Sequence, residues 1–332
     1  IMFHLLIGYV ITARQVSVTK KSRCLTIIYC ANVITFHYIR QRRTALLFNF
    51  FSRRALTMTR KPIVALIYDF DGTLSPGNMQ EFGFIQAIGK TPEEFWDISN
   101  RIASGQDASN ILAYMKLMFD EARAKGIRLK RSEFKKFGKD IKLFEGLGSW
   151  FDLVNEYGRS QGVKVEHYIN SSGLKEIIEG CPLAKEFKHI FASSFLYDSK
   201  GEAEWPGIAV DYTAKTQFIF KINKGIFSAR DTKEVNESMA EDKKRIPFTQ
   251  MIYVGDGETD VPCMKIVSMF GGHSIAVYNP ENKQKKAVAE KLLRQGRVNF
   301  ITPANYSHYS RTFKVVCSII DKIKADYVLK KL

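Results

Sequence analysis

Residues Ile63–Tyr68 are six apolar side chains in succession. A strand of that kind must be buried on both faces, which places it in the interior of a parallel sheet. Further candidate strands follow at Val163–Ile169, Ile190–Tyr197, Gln250–Val254, Ser274–Tyr278 and Arg297–Ile301. The third runs through Asp-Ser-Lys-Gly into a short segment ending near Val210, which predicts a hairpin over Phe191–Val210. Segments of helical spacing lie between them, at about 146–161, 173–187, 214–226, 260–269, 282–295 and 311–330. Strand–helix alternation of this kind predicts an α/β fold, a doubly wound and mainly parallel sheet. Residues 228–246 are charge-dense but balanced and read as a solvated insert.

The alternation is interrupted once. From Ser75 to about Phe144 the apolar residues recur at helical spacing (Phe82, Ile85, Ile88; Phe95, Ile98, Ile102; Ile111, Tyr114, Met115, Met118). Helix-start signals stand at Thr91-Pro92-Glu93-Glu94 and at Asp107–Asn110. Seventy residues of helix exceed a simple crossover, so a helical subdomain over 76–144 is expected beside a core of 58–75 and 145–332.

Residues 1–57 are apolar, aromatic and basic. They hold nine of the chain's 50 Lys and Arg and none of its 34 Asp and Glu. The remaining 41 basic and 34 acidic side chains leave the body at only +7 of the total +16. No nucleic-acid module is recognisable, and the apolar stretches Met2–Ala13 and Cys24–Tyr38 are shorter than a membrane helix needs. The segment reads as an over-long reading frame, an organellar transit peptide or a tether, with Met58 opening the folded part. Five scattered cysteines without a C-x-x-C pair favour a reducing, cytoplasmic setting over a disulfide scaffold. Six histidines without ligand spacing argue against a zinc enzyme. Neither nucleic acid nor membrane is an expected partner of the body.

In an open α/β sheet, ligands bind beyond the carboxyl ends of the strands. The first strand ends Asp69-Phe70-Asp71-Gly72-Thr73, the second Ser171-Ser172-Gly173, and the fourth Gly255-Asp256-Gly257-Glu258-Thr259-Asp260. Asp69 and Asp71, two apart, share one side of an extended chain: one carboxylate can attack while the other moves a proton. Carboxylates around a phosphate dianion need a cation, and Mg²⁺ suits carboxylates, waters and phosphate oxygens. A Ser or Thr hydroxyl and a Lys would complete such a site. Taken singly, each piece has a plainer reading: Asp-Gly as a hairpin turn, Ser-Ser-Gly as a helix cap, a lysine as solvated surface. Their order along the chain is what points to chemistry.

With these motifs the sequence resembles the haloacid dehalogenase superfamily. Asp69–Thr73 matches its D-x-D-G-T motif, Ser171 its second motif and Gly255–Asp260 its G-D-x-x-x-D motif, a similarity spanning about 60–330. Lys215, Lys221 and Lys224 compete for the single lysine of the third motif, and Lys215, opening its helical segment, is preferred. The resemblance implies a Rossmann-like core with a C1 cap at 76–144, and the hairpin is similar to that of the phosphoserine-phosphatase-like branch. It further implies Asp69 as nucleophile, Asp71 as general acid and base, and Ser171 and Lys215 as phosphoryl-binding groups. Mg²⁺ would then be held by the Asp69 carboxylate, the Asp71 backbone carbonyl and Asp256, with Asp260 in support. Gly72, Thr73, Glu81, Ser172 and Gly173 are candidate substrate contacts. The implied activity is a phosphomonoesterase acting on a small phosphorylated metabolite. A phosphomutase or phosphotransferase, or a binding protein using the basic N-terminus, are the alternatives. Oligomeric state is not legible.

Overall fold

The computed structural model describes residues 61–231 and 233–332; the extension at 1–57 lies outside them. The strands are β1 (Ile63–Tyr68), β2 (Lys164–Leu174), β3 (Phe187–Tyr197), β4 (Ala203–Ile208), β5 (Met251–Gly255), β6 (His273–Tyr278) and β7 (Phe300–Pro303). They form one sheet in the order β4-β3-β2-β1-β5-β6-β7, parallel except for β4, which returns antiparallel along β3 as the hairpin predicts. From β1 the chain adds strands outward on one side, then crosses to add β5–β7 on the other. The switch point therefore lies at the carboxyl end of β1, between β2 and β5.

β1 alternates its side chains between two buried layers. Val64, Leu66 and Tyr68 face helices α4 (Leu147–Ser160) and α9 (Arg311–Leu329), with Trp150, Phe151, Val316 and Ile320 in the same cluster. Ile63, Ala65 and Ile67 face α6 (Ala214–Lys224), α7 (Val261–Met269) and α8 (Lys283–Arg294) through Phe218, Ile222, Met264 and Leu292. Helices on both faces make the sheet doubly wound, as expected. Burying one such aliphatic side chain contributes roughly 1.5–3 kcal/mol.

The stretch after β1 is helical as anticipated, with α1 (Pro92–Gly105), α2 (Asn110–Ala124) and α3 (Arg131–Phe137). Thr91 caps α1 in a reciprocal box with Glu94, and Ser109 caps α2. Phe84, Phe95, Ile111 and Met115 join the apolar cluster that holds α4 and α9, and Phe134 of α3 stacks on Phe195 of β3 at 5.6 Å.

Two expectations need correction. β2 does not stop at Ile169 but pairs with β3 through Leu174, with a register shift between Asn170 and Leu174. The helix expected over 173–187 shrinks to α5 (Lys175–Gly180) and a 3₁₀ turn at Ala184–Glu186. Pro182 forces Cys181 into extended backbone (φ −67°, ψ 144°), ending the helix there. The insert at 228–246 is mostly exposed, yet Arg245 reaches back to Glu166 of β2 at 2.7 Å.

Candidate active site

β1 delivers Asp69 straight from its last paired residue, since the Asp69 amide still donates to the Val254 carbonyl of β5 at 2.9 Å. The chain then turns. The amides of Thr73, Leu74 and Ser75 all donate to the Phe70 carbonyl, and Gly72 takes φ +74°. A Cβ at Gly72 would lie 2.3 Å from Asp256 Oδ2, so the turn needs glycine both for its backbone angle and for room beside β5. Asp71 emerges from this turn with Oδ1 accepting from the Met79 amide at 2.9 Å.

Asp69, Asp71, Gly72, Asp256, Ser171, Ser172, Gly173 and Lys215 all line one cavity of about 480 Å³ at the switch point. From the helical segment, Glu81, Trp96, Ser99, Asn100, Asn110, Ile111 and Tyr114 form the opposite wall. Ser171 is not a helix cap. It lies within β2, fully buried, with its Oγ accepting from the Gly173 amide at 3.0 Å.

Of the three competing lysines, Lys215 alone lines the cavity. Lys215 Nζ stands 3.0 Å from Asp69 Oδ1 and 2.7 Å from Asp260 Oδ1. Lys221 instead donates to the Ser228 and Ala229 carbonyls, and Lys224 to those of Val235 and Glu237, so both tie down the insert. Asp260 does not line the cavity. It is fully buried behind it, where Tyr253 donates to the same Oδ1 at 2.8 Å, and it anchors Lys215. Thr73 is also out of reach: its side chain is buried and its carbonyl accepts from Tyr306 at 2.7 Å, so it braces the turn without facing the cavity. Glu81 does face it, with Oε1 held by Asn78 at 2.7 Å and Trp96 at 2.8 Å.

Crowding of acids sets the electrostatics. Burial, then the Asp260 carboxylate, pushes Asp69 up to about 7 against the pull of Lys215. Burial and the neighbouring Asp69 push Asp71 well above the ordinary range. Asp256 is raised by burial, with Lys285 opposing. Burial works against the charge of Lys215, but Asp260 and Asp69 outweigh it and hold its pKa above that of a free lysine. A cation is the simplest relief for such a set. Asp69, Asp256 and Asp260 each bring a carboxylate oxygen within 4.8 Å of the others, and Asp260 Oδ2 is buried without a hydrogen-bond partner. All-oxygen donors fit a hard divalent ion such as Mg²⁺.

Lys285 escaped the sequence reading, and Tyr114 entered it only as an apolar position of a helix. Lys285, in the first turn of α8, lines the cavity and pairs with Asp256 Oδ2 at 2.8 Å. Tyr114 donates to the Ser172 carbonyl at 2.8 Å, tying α2 to the end of β2. Reading the ends of all strands, β6 included, would have flagged the neighbourhood of Lys285. Nothing in sequence spacing singles out Tyr114.

Fold and site together define a doubly wound α/β protein with a carboxylate-centred site at the switch point. The family model for haloacid dehalogenase-like hydrolases matches residues 66–265, and the chain belongs to that family. An uncharacterized protein of Borreliella burgdorferi is 28% identical over 290 residues, covering 76% of this chain and 95% of that one. In fold, the chain resembles a HAD-family hydrolase of Salmonella enterica serovar Typhi, with a TM-score of 0.51 at 13% identity over 77% of this chain and 72% of that one. A probable phosphoserine phosphatase from Vibrio cholerae gives a TM-score of 0.51 at 14% identity over 82% of this chain and 67% of that one. Among the described residues, no helix is long and apolar enough to cross a membrane.

Proposed function

We propose that this hydrolase is a Mg²⁺-dependent phosphomonoesterase for a small phosphorylated metabolite. The observation that carries the reading is the placement of Asp69, Asp71, Ser171, Lys215 and Asp256 on one cavity. At about 480 Å³ it suits a small ester and not a macromolecule. Asp69 and Asp256 would hold the cation through their carboxylates, together with the Asp71 backbone carbonyl, and Asp260 would support them. When bound, the ion supplies the positive charge that lets a phosphate dianion approach these carboxylates.

The protein's own groups divide the rest of the work. Lys215 orients the Asp69 carboxylate and offers its ammonium to a phosphoryl oxygen. Ser171 and the backbone around Gly173 cradle another. Asp69 attacks phosphorus while the leaving oxygen takes a proton from the Asp71 carboxyl. The aspartyl-phosphate formed is then opened by water, with Asp71, now ionised, accepting the water's proton. The wall formed by α1 and α2 acts as a cap that excludes bulk solvent and selects the alcohol portion.

Phosphate release from a panel of small phosphomonoesters, with Mg²⁺ or with EDTA, tests this. Mg²⁺-dependent release is expected for at least one ester. No release from any ester under either condition would contradict it.

A further inference from the structure

Lys285 has no part in the chemistry above, yet its position is unusual. It stands in the first turn of α8, with Lys283 and Lys286 beside it and no acid in that turn. The amino end of a helix dipole disfavours cations, so local helix energetics do not explain the placement. The amides there are already satisfied, since Asn282 accepts from Gln284 and Lys285. The side chain instead reaches the wall shared by Asp69, Asp71 and Lys215, and its Nζ sits 2.8 Å from Asp256 Oδ2. Half of its side-chain surface remains exposed, so it is not locked by packing.

We propose that Lys285 is a second phosphate-binding cation of the cavity: paired with Asp256 in the metal-free protein, it transfers to the phosphate oxygens once Asp256 coordinates a divalent cation. This assignment rests on the phosphomonoesterase reading of the same site. Two cations then flank the phosphate from different sides of the switch point, Lys215 from α6 beside β2 and Lys285 from α8 after β6. Lys285 competes with the metal for Asp256 but cooperates with it in holding phosphate. Removing its ammonium should therefore shift the two affinities in opposite directions.

The test is calorimetric titration of wild type, Lys285→Met and Lys285→Arg with Mg²⁺ alone, and with orthophosphate at saturating Mg²⁺. Thermal melts confirm folding, which a half-exposed side chain makes secure. Lys285→Met should bind Mg²⁺ several-fold more tightly and orthophosphate about tenfold more weakly, the loss expected for one charge-assisted hydrogen bond. Lys285→Arg should recover most of the phosphate affinity. Unchanged phosphate affinity in Lys285→Met would overturn the proposal and leave a structural ion pair; weaker Mg²⁺ binding would overturn the competition with the metal. If wild type binds orthophosphate but turns over no ester, the phosphatase reading fails and the binding role stands. If wild type with Mg²⁺ binds no orthophosphate, the role of Lys285 fails with it.

Discussion

Asp69 and Lys215 form the centre of the site, and each fails differently when removed. In Asp69→Asn the shape is kept and the nucleophile is lost, so turnover should vanish while the fold persists. In Lys215→Met, Asp69 and Asp260 lose their shared counterion in a buried setting. That change should lower kcat at least about a hundredfold, as for loss of a preorganised transition-state donor. Gly72→Ala places a methyl group against Asp256 at a backbone angle that L-residues rarely adopt. Its expected cost is about 1–3 kcal/mol of stability together with weaker Mg²⁺ binding, measured by urea denaturation and calorimetry. Much at this scale was legible: the acid pair and Asp256 stand at strand ends where the α/β rule looks for them, and Ser171 lies in the last part of β2. Thr73 was not, because a motif's spacing does not say which side of a turn a side chain faces. Lys285 was hidden as one lysine among several in Lys283–Lys286, where sequence offers no contrast.

At the scale of elements, turn and cap chemistry read well and polar strand ends did not. The capping box at Thr91 was visible, and it sets the start of the helix that brings Trp96, Ser99 and Asn100 to the cavity. Thr91→Ala should cost about 1 kcal/mol and raise KM more than it lowers kcat, a split read from steady-state kinetics. By contrast, Asn170–Gly173 carries no strand signature, because its extended shape comes from pairing with β3, a tertiary effect that spacing within one segment cannot reveal. β2 also carries His167, fully enclosed between α4 and β1, with Tyr68 Oη 3.0 Å from Nδ1 and Asn155 Oδ1 3.2 Å from Nε2. Burial pushes its pKa down to about 3, against a weaker opposing pull from Glu166. Between pH 6.5 and 3 the unfolded chain therefore binds a proton at this site that the folded chain does not. Its effect is absent above that window, and stability falls as pH drops through it. His189 and His273 are shifted the same way by burial. In urea denaturation, His167→Gln should lose roughly 1–2 kcal/mol less than wild type between pH 7 and pH 5. Equal losses in both proteins would contradict that assignment.

Across the whole molecule, the site concentrates negative charge at the switch point, where β1, β2 and β5 end, and this charge works against folding until it is compensated. Mg²⁺ should accordingly raise the melting temperature, with stabilisation of about 2.7 kcal/mol at a hundredfold excess over its dissociation constant. EDTA should remove that increment without unfolding the protein, because both apolar layers are independent of the ion. The doubly wound class followed from apolar runs alternating with helical spacing; the strand order came only with the structure. The packing of 76–144 did not, because helical periodicity gives a buried face but not the surface it is buried against.

The central claim is that Asp69 carries the phosphoryl group. It is tested most directly by acid-quenching wild type during turnover of a good ester and searching its peptides by mass spectrometry. A phosphoryl adduct on Asp69, labile to hydroxylamine and absent from Asp69→Asn, is the predicted result. Steady turnover with no adduct, or turnover that survives in Asp69→Asn, would contradict it.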